Sequence, residues 1–451
     1  MIDYTLPLEA LPDPLPIEPL EKPFDVTITP PGSKSITNRA YVLAALADGE
    51  SRIIRPLRSD DCDNLLNALC TLGAEARWEG EDVFIRGVNG RFPRGGEVNL
   101  GDGGAPTRFM IACACLAAEP VIVDGSPRMR QRPIAEGVDM LRQLGADIEY
   151  VQEEGRLPVR VVPSLEFRGG KITFTATKSS QSLSALLLIA PVLRSGLEWH
   201  VTDESELTSA GYFRMTIRLL AAWSVEWSTR GNKQAGFWTG VPFQGIHSRR
   251  YHVEADASSA LYWVAAVALL PRSKASVIGL GHHSDDPIQP DMHAVTELMR
   301  KKLIGVTSER TEAGECRLQV QQGRRTAKLK CDCSLFPDGS LALATVAATL
   351  SKTSTFTGLH TLPMKETDRI AALANELRKI GCTVETTEDS ITIDPSTRHD
   401  EPVVIETYND HRMAMAFGVL GLARPGISIA NPKCVKKSYP GFWADFAKLY
   451  Q

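Results

Sequence analysis

At 451 residues the chain exceeds the roughly 250–300 at which one hydrophobic core usually splits, so two domains are expected. A hydrophobic content of 43% with 23% charged residues is ordinary for a globular protein. A net charge of −4 excludes a global basic field for nucleic acid or membrane, so any anion must be held by local clusters.

Residues 1–22 carry five prolines but no basic start and no apolar core, so neither a secretory signal nor a transit peptide is expected. Pro30-Pro31-Gly32-Ser33-Lys34-Ser35 then precedes a helix expected over 36–47. Ser35 suits the N-cap, with Lys34 and Arg39 flanking the helix start. The spacing is not that of a Walker phosphate loop, and a surface lysine beside a cap is the plain alternative.

A block now recurs: a polar loop, a helix ending near glycine, and short alternating strands. It covers 65–73 with strands 74–78 and 82–86, and returns at 138–145 with 147–150 and 158–162. Weaker and stronger copies follow at 216–223 with 225–227, at 295–305 with 306–307 and 317–320, and at 374–381 with 383–385 and 390–393. Their ends lie 72, 78, 82 and 76 residues apart. Period-two strands and 3.6-type helices support the repeat. A sixth copy can be completed by the helix 441–449 and strands at the chain start, such as 24–29. Six such supersecondary modules in two domains give three per domain. The runs 182–193, 257–270 and 342–350 are apolar nearly all round, so they are expected as central helices wrapped by sheets.

Several polar motifs stand at the entrances to helices. Leu100-Gly101-Asp102-Gly103-Gly104-Ala105-Pro106-Thr107-Arg108 leads into a helix expected over 109–118. Its glycines let backbone N–H groups approach a ligand, and a plain tight turn is equally open. Arg128-Met129-Arg130-Gln131-Arg132-Pro133 offers guanidinium forks for carboxylate or phosphate, or a solvated basic turn. Ser179-Ser180-Gln181 sits at the mouth of 182–193, while Ser209 and Tyr212 open another unit. Asp338 in Phe336-Pro337-Asp338-Gly339-Ser340 precedes a buried helix and could be only its N-cap.

Lys365-Glu366-Thr367-Asp368-Arg369 opens the amphipathic run 370–378. Cations at a helix start oppose its dipole unless an anion binds among them. Glu366 and Arg369, three apart, are expected on one helix face. Asn409-Asp410-His411-Arg412 precedes 413–422, and Lys433, Lys436 and Lys437 lie in a loop near the end. His411 reads as a structural histidine. His282-His283 lacks further ligands at metal spacing, so no metal site is expected. The nine cysteines contain no C-x-x-C pair, and Cys113/Cys115 and Cys331/Cys333 are two apart, which suits reduced thiols in the cytoplasm.

Placement unites these residues. In a repeat architecture the helix entrances converge on one end of each domain, and two facing domains would enclose a cationic cleft with two carboxylates inside. At 4 Å and an effective dielectric near 20, each charge pair there is worth roughly 4 kcal/mol before desolvation. Such a cleft suits substrates carrying several negative charges.

Pro31-Gly32-Ser33-Lys34-Ser35 with Asn38-Arg39, Ser179-Ser180-Gln181, Asp256-Ala257-Ser258-Ser259-Ala260, Lys365 to Arg369 and Asn409-Asp410-His411-Arg412-Met413-Ala414-Met415 occur in that order. Together they resemble the 5-enolpyruvylshikimate-3-phosphate synthases (3-phosphoshikimate 1-carboxyvinyltransferases), over nearly everything from 24 to 449. The resemblance implies an α/β fold of two inside-out α/β barrels, each of three βαβαββ units. Residues 1–30 plus 254–451 would form a discontinuous domain with both termini, 31–253 would be inserted, and the active site would lie in the cleft between them. The implied reaction moves the enolpyruvyl group of phosphoenolpyruvate to the 5-hydroxyl of shikimate 3-phosphate by addition–elimination, releasing phosphate. It serves the shikimate pathway of aromatic amino acid biosynthesis.

By the same resemblance, Lys34, Ser35, Arg39, Ser179, Ser180, Gln181, Ser209, Tyr212, Asp338 and Lys365 hold shikimate 3-phosphate. Lys34, Gly104, Arg132, Gln181, Arg369, Arg412 and Lys437 hold phosphoenolpyruvate. Asp338 takes the proton of the attacking hydroxyl, and Glu366, with Lys34, protonates the methylene carbon. No metal, cofactor, nucleic acid or membrane is implied, and a cytoplasmic monomer is expected.

The chain departs from the family's usual Gly-Asn-Ala-Gly-Thr-Ala-x-Arg loop, with Asp102 for Asn, Ala105-Pro106 for Thr-Ala and Phe109 for the following Pro. Thr361 stands where Asn is common, and Ala210-Gly211 replaces a Lys-Pro pair. Asp102 would repel phosphoenolpyruvate or be offset by neighbouring arginines. Weakened inhibition by glyphosate, which the family binds in the phosphoenolpyruvate pocket, is therefore expected. The related UDP-N-acetylglucosamine enolpyruvyl transferases carry a reactive cysteine in the loop matching 123–132, and this segment has none. A non-catalytic anion-binding scaffold is the rival of another class, against which Lys34, Asp338, Glu366, Arg412 and Lys437 argue.

Overall fold

Short strands and nearly all-apolar helices alternate along the chain, and a computed structural model shows how they assemble. It describes residues 2–451 apart from 174–178, 202–207, 233–235, 282–287, 313 and 325–326. The chain divides into two units, one made of residues 1–31 and 254–451 and the other of 32–253.

In the 32–253 unit three four-stranded sheets share one plan. The middle sheet is typical: Gly96–Asn99 pairs in parallel with Val121–Asp124, and the hairpin of Asp147–Tyr150 and Val159–Val162 adds antiparallel to it. Parallel neighbours need a crossover, which the Gly104–Ala114 helix supplies. That helix packs with Lys34–Leu46 and Ser180–Ile189, all three buried almost throughout. Helices with apolar residues on every face suit the centre of such a unit, where no face meets water. The sheets lie outside them, which makes the unit an inside-out α/β barrel.

The other unit repeats the plan around Ala257–Leu269, Ser340–Ala347 and His411–Gly421. Its first sheet borrows a strand from the chain start: Asp25–Ile28 pairs in parallel with Lys274–Leu280. The strand 24–29 therefore belongs to this sheet and not to a sixth module. The reason is connectivity, because the chain re-enters at Glu254 directly before a helix and brings no opening strand with it. Likewise Arg250–His252 pairs with Glu50–Ile54 in the 32–253 unit yet leads into the Ala257–Leu269 helix of the other.

The sixth module is completed by residues further upstream. Leu15–Pro16 adds antiparallel to Ile427–Ile429, which pairs in parallel with Val403–Ile405. Gly421 makes room, since a Cβ there would lie 2.6 Å from the Ile17 side chain. Tyr4 packs on the rings of Trp443, Phe446 and Tyr450. The proline-rich start thus covers a sheet edge that would otherwise expose unpaired backbone groups. Among the described residues no helix is long and apolar enough to cross a membrane.

Candidate active site

In the unit of residues 1–31 and 254–451, three helix entrances bring their charges together. Asp368 caps the Arg369–Lys379 helix, accepting from the Ala371 N–H at 3.1 Å. The helix therefore begins at Arg369, and Lys365 and Glu366 lie in the turn before it rather than on its face. Glu366 still meets Arg369 at 3.0 Å. Arg369, only 1% exposed, is the hub of a network. Its Nε and Nη2 hold Asp410 at 2.7 and 3.1 Å, and its Nη1 holds Asp338 at 2.8 Å. Asp338 also meets Lys365 at 3.2 Å and Arg412 at 3.3 Å, while the second oxygen of Glu366 meets Lys437 at 3.0 Å. Four cations and three carboxylates share one network.

Asp338 is not an N-cap. It sits in the 3-10 turn Pro337–Gly339, and the following Ser340–Ala347 helix has no side-chain cap. Burial alone would raise its carboxyl pKa, but Lys365, Arg412 and Arg369 outweigh that and hold it well below the usual carboxylate range. Asp291, buried just ahead of the Met292–Arg300 helix, goes the other way. Burial pushes it up to about 6 against the pull of Arg412, with Asp338 and Asp256 adding to the rise. Asp410 and Arg412 follow a strained turn, because Tyr408 and Asn409 both adopt the left-handed backbone at φ 54° and 57°. For Tyr408 this costs on the order of 1–2 kcal/mol, while Asn409 adopts the conformation more readily. His411 is fully buried.

The 32–253 unit assembles a different set. Its first helix is Lys34–Leu46 with Ser33 at the cap, so Ser35 lies in the first turn instead of capping it. First-turn N–H groups have no partner within the helix, which makes that turn a ready anion site. Lys34 pairs with Asp61 at 3.1 Å. Arg39 is buried over the Phe109 ring, 5.3 Å from its centre. It donates to Thr216 Oγ1 at 2.8 Å, the Ser35 carbonyl at 2.8 Å, Ser184 Oγ at 3.1 Å and the Tyr212 carbonyl at 3.4 Å. Burial pulls its pKa down to about 10.

A second cluster forms at the Gly104–Ala114 helix. Arg108 donates to the Gly104 carbonyl, to Gln181 Oε1 at 3.1 Å and to the Pro133 carbonyl. Burial, then the neighbouring Arg132 cation, lower its pKa to about 9. Gly104 lets the Arg132 guanidinium approach closely, since a Cβ there would lie 2.5 Å from it and push that side chain aside. Asp102 accepts a hydrogen bond from Ser126, and its carbonyl accepts from Arg132 at 3.4 Å. Ser179 caps the Ser180–Ile189 helix through the Gln181 N–H. Ser209 heads the Ala210–Ala222 helix in the left-handed conformation, at φ 52°, and its side chain does not cap it.

The structure thus joins Ser35, Arg39 and Tyr212 in one group, Gly104, Arg132 and Gln181 in another, and Asp338, Lys365, Glu366, Arg369, Arg412 and Lys437 in a third. His282 and His283 lie outside the described residues. Among those described, no three His, Cys, Asp or Glu side chains are placed to hold a metal. Sequence reasoning passed over Asp61, Arg108, Asp291 and Asp410. Arg108 and Asp410 were inside quoted motifs, while Asp61 and Asp291 carry no local signal and reach their partners only through the fold.

Known proteins share this arrangement of sequence and fold. The family model described as EPSP synthase (3-phosphoshikimate 1-carboxyvinyltransferase) matches residues 20–446. The 3-phosphoshikimate 1-carboxyvinyltransferase of Methanoculleus marisnigri is 36% identical over 93% of this chain and 96% of its own. That of Haemophilus ducreyi is 35% identical over 94% and 95%. Among solved structures, EPSP synthase from Acinetobacter baumannii superposes with a TM-score of 0.76 at 25% identity, covering 96% of this chain and 98% of that one. The enolpyruvyl transferase NikO from Streptomyces tendae shares the fold, with a TM-score of 0.69 at 16% identity over 96% of both chains.

Proposed function

The chain belongs to the EPSP synthase family, and on that premise we propose that it transfers the enolpyruvyl group of phosphoenolpyruvate to the 5-hydroxyl of shikimate 3-phosphate. This is the carboxyvinyl transfer of the shikimate pathway. One observation supports it most: Asp338 and Glu366 stand in a single ion-pair network with Lys365, Arg369, Arg412 and Lys437.

The chemistry requires those types. An alcohol is a poor nucleophile, so a placed base must take its proton, and Asp338 fills that role. Asp338 is ionised before substrate arrives, since its three cations outweigh burial. An arriving phosphate or carboxylate that draws Lys365 and Arg412 to itself leaves Asp338 a stronger proton acceptor. Glu366, with Lys34, delivers a proton to the methylene carbon while the hydroxyl oxygen bonds to the neighbouring carbon. The tetrahedral ketal then loses a proton from its new methyl group and expels phosphate, restoring the double bond.

Ser35, Arg39, Ser179, Ser180, Gln181, Ser209, Tyr212, Asp338 and Lys365 bind shikimate 3-phosphate in this reading. Gly104, Arg132, Gln181, Arg369, Arg412 and Lys437, with Lys34, bind phosphoenolpyruvate and stabilise the departing charge. Phosphate release measured with both substrates tests the assignment. Turnover with shikimate 3-phosphate and none with UDP-N-acetylglucosamine is expected. No turnover with either would leave only an anion-binding protein.

A further inference from the structure

We propose that Tyr408 and Glu376 form a latch that positions Asp410 and Arg412 for the anionic substrate, an inference that rests on the function proposed above. Arg369 and Glu376 are seven residues apart on one helix, so two turns of rotation bring them back to almost the same face. At one end of that face Arg369 grips Asp410 through two nitrogens. At the other, the Glu376 carboxylate accepts from the Tyr408 hydroxyl at 2.8 Å and from the Glu406 N–H at 3.0 Å. The segment between, residues 406–410, is therefore held at both ends by a single rigid element.

What it holds would not stay in place unaided. Tyr408 and Asn409 are consecutive non-glycine residues in the left-handed region, a conformation retained only where its surroundings impose it. Asn409 Oδ1 is held in turn by Asn431 Nδ2 at 3.1 Å, and Asn431 is itself left-handed at φ 48°. Asp410 Oδ1 accepts the Arg412 N–H at 2.9 Å, which starts the His411–Gly421 helix and directs Arg412 to Asp338. Strain collected next to a charged network, with a dedicated clamp, points to positioning rather than general stability.

Glu376 is a costly residue for a merely structural contact. It is fully buried, and its partners besides Tyr408 and the Glu406 N–H include Lys379 at 2.7 Å. Tyr408, by contrast, is 40% exposed and contributes little to the core. Removing only its hydroxyl therefore tests the latch without hollowing the interior.

The experiment is steady-state kinetics of Tyr408→Phe with both substrates, alongside shikimate 3-phosphate affinity by calorimetry and amide hydrogen exchange of 406–412. A rise of about five- to tenfold in the phosphoenolpyruvate KM is expected, equivalent to about 1–1.4 kcal/mol. Shikimate 3-phosphate affinity should stay within about twofold, and exchange at Glu406 and Arg412 should quicken. An unchanged KM overturns the proposal. So does an equal loss of affinity for both substrates with a lowered melting temperature, which marks a purely structural bond. Should the wild type itself release no phosphate, the assigned reaction fails. The latch is then judged by the exchange rates and by calorimetry with phosphoenolpyruvate alone, where equal affinity for wild type and variant sinks it.

Discussion

Two buried arginines of one unit and one of the other, all at the candidate site, are held in opposite ways. In the 32–253 unit, the named hydrogen bonds of Arg39 and Arg108 all go to neutral oxygens, and burial lowers both pKa values. In the other unit, Arg369 meets three carboxylates and its charged form is favoured. A buried cation among neutral acceptors retains its reach for an external anion. One matched by carboxylates is better suited to hold those carboxylates in place. In the proposed reaction the first arrangement would suit anion binding and the second would keep the two carboxylates Asp338 and Glu366 in place.

That contrast can be broken most severely at Glu366, the proposed proton donor. Glu366→Gln should lower kcat by about 10²–10⁴, the usual contribution of a general acid or base, with substrate affinity nearly unchanged. Unaltered turnover would remove Glu366 from the mechanism.

Arg132→Ala probes the binding side. Loss of one member of a buried charge pair costs about 2–5 kcal/mol, so the phosphoenolpyruvate requirement should rise by tens to thousands of fold in steady-state kinetics. A fall in kcat alone would place Arg132 among the chemical groups instead.

Asp291 sharpens the comparison from within the balanced unit, as a buried carboxyl whose pKa rises to about 6. An unfolded Asp titrates near 3.9, so between those values the folded chain binds more protons and stability falls as pH rises. Asp291→Asn removes that titration. Its stability relative to wild type should grow by about 1–3 kcal/mol between pH 4 and pH 7.5, read from urea midpoints. A difference that stays flat with pH would mean that Asp291 is already neutralised by its neighbours.

The smallest effect concerns the altered glycine loop. Glyphosate inhibition should be weak in this enzyme, and Asp102→Asn should tighten it, because the variant can still accept from Ser126 while losing its charge. An inhibition constant already as tight as in enzymes with the standard loop would contradict this.

Much of the molecule was legible beforehand, and the misses are instructive. The repeat period, the apolar inner helices and the charged helix entrances are local patterns, so sequence sufficed for them. The destination of 24–29 was not readable, because a lone strand carries no mark of the sheet it joins. Nor was the role of 2–20, which depends on the uncovered edge at Ile427–Ile429. Boundaries shifted as well: the first helix starts at Lys34, one position before Ser35, with no side-chain cap, and the Asp368 cap left Lys365 and Glu366 outside their helix.

By itself, the order of residues determined the family, the three-fold modular plan and the identity of the ionisable groups. Tertiary structure alone decided which of those groups meet. Asp61 reaches Lys34 across 27 positions, Arg369 reaches Asp410 across 41, and Glu376 reaches Tyr408 across 32. Charge interactions depend on distance in space, and only the packed helices convert separation along the chain into contact.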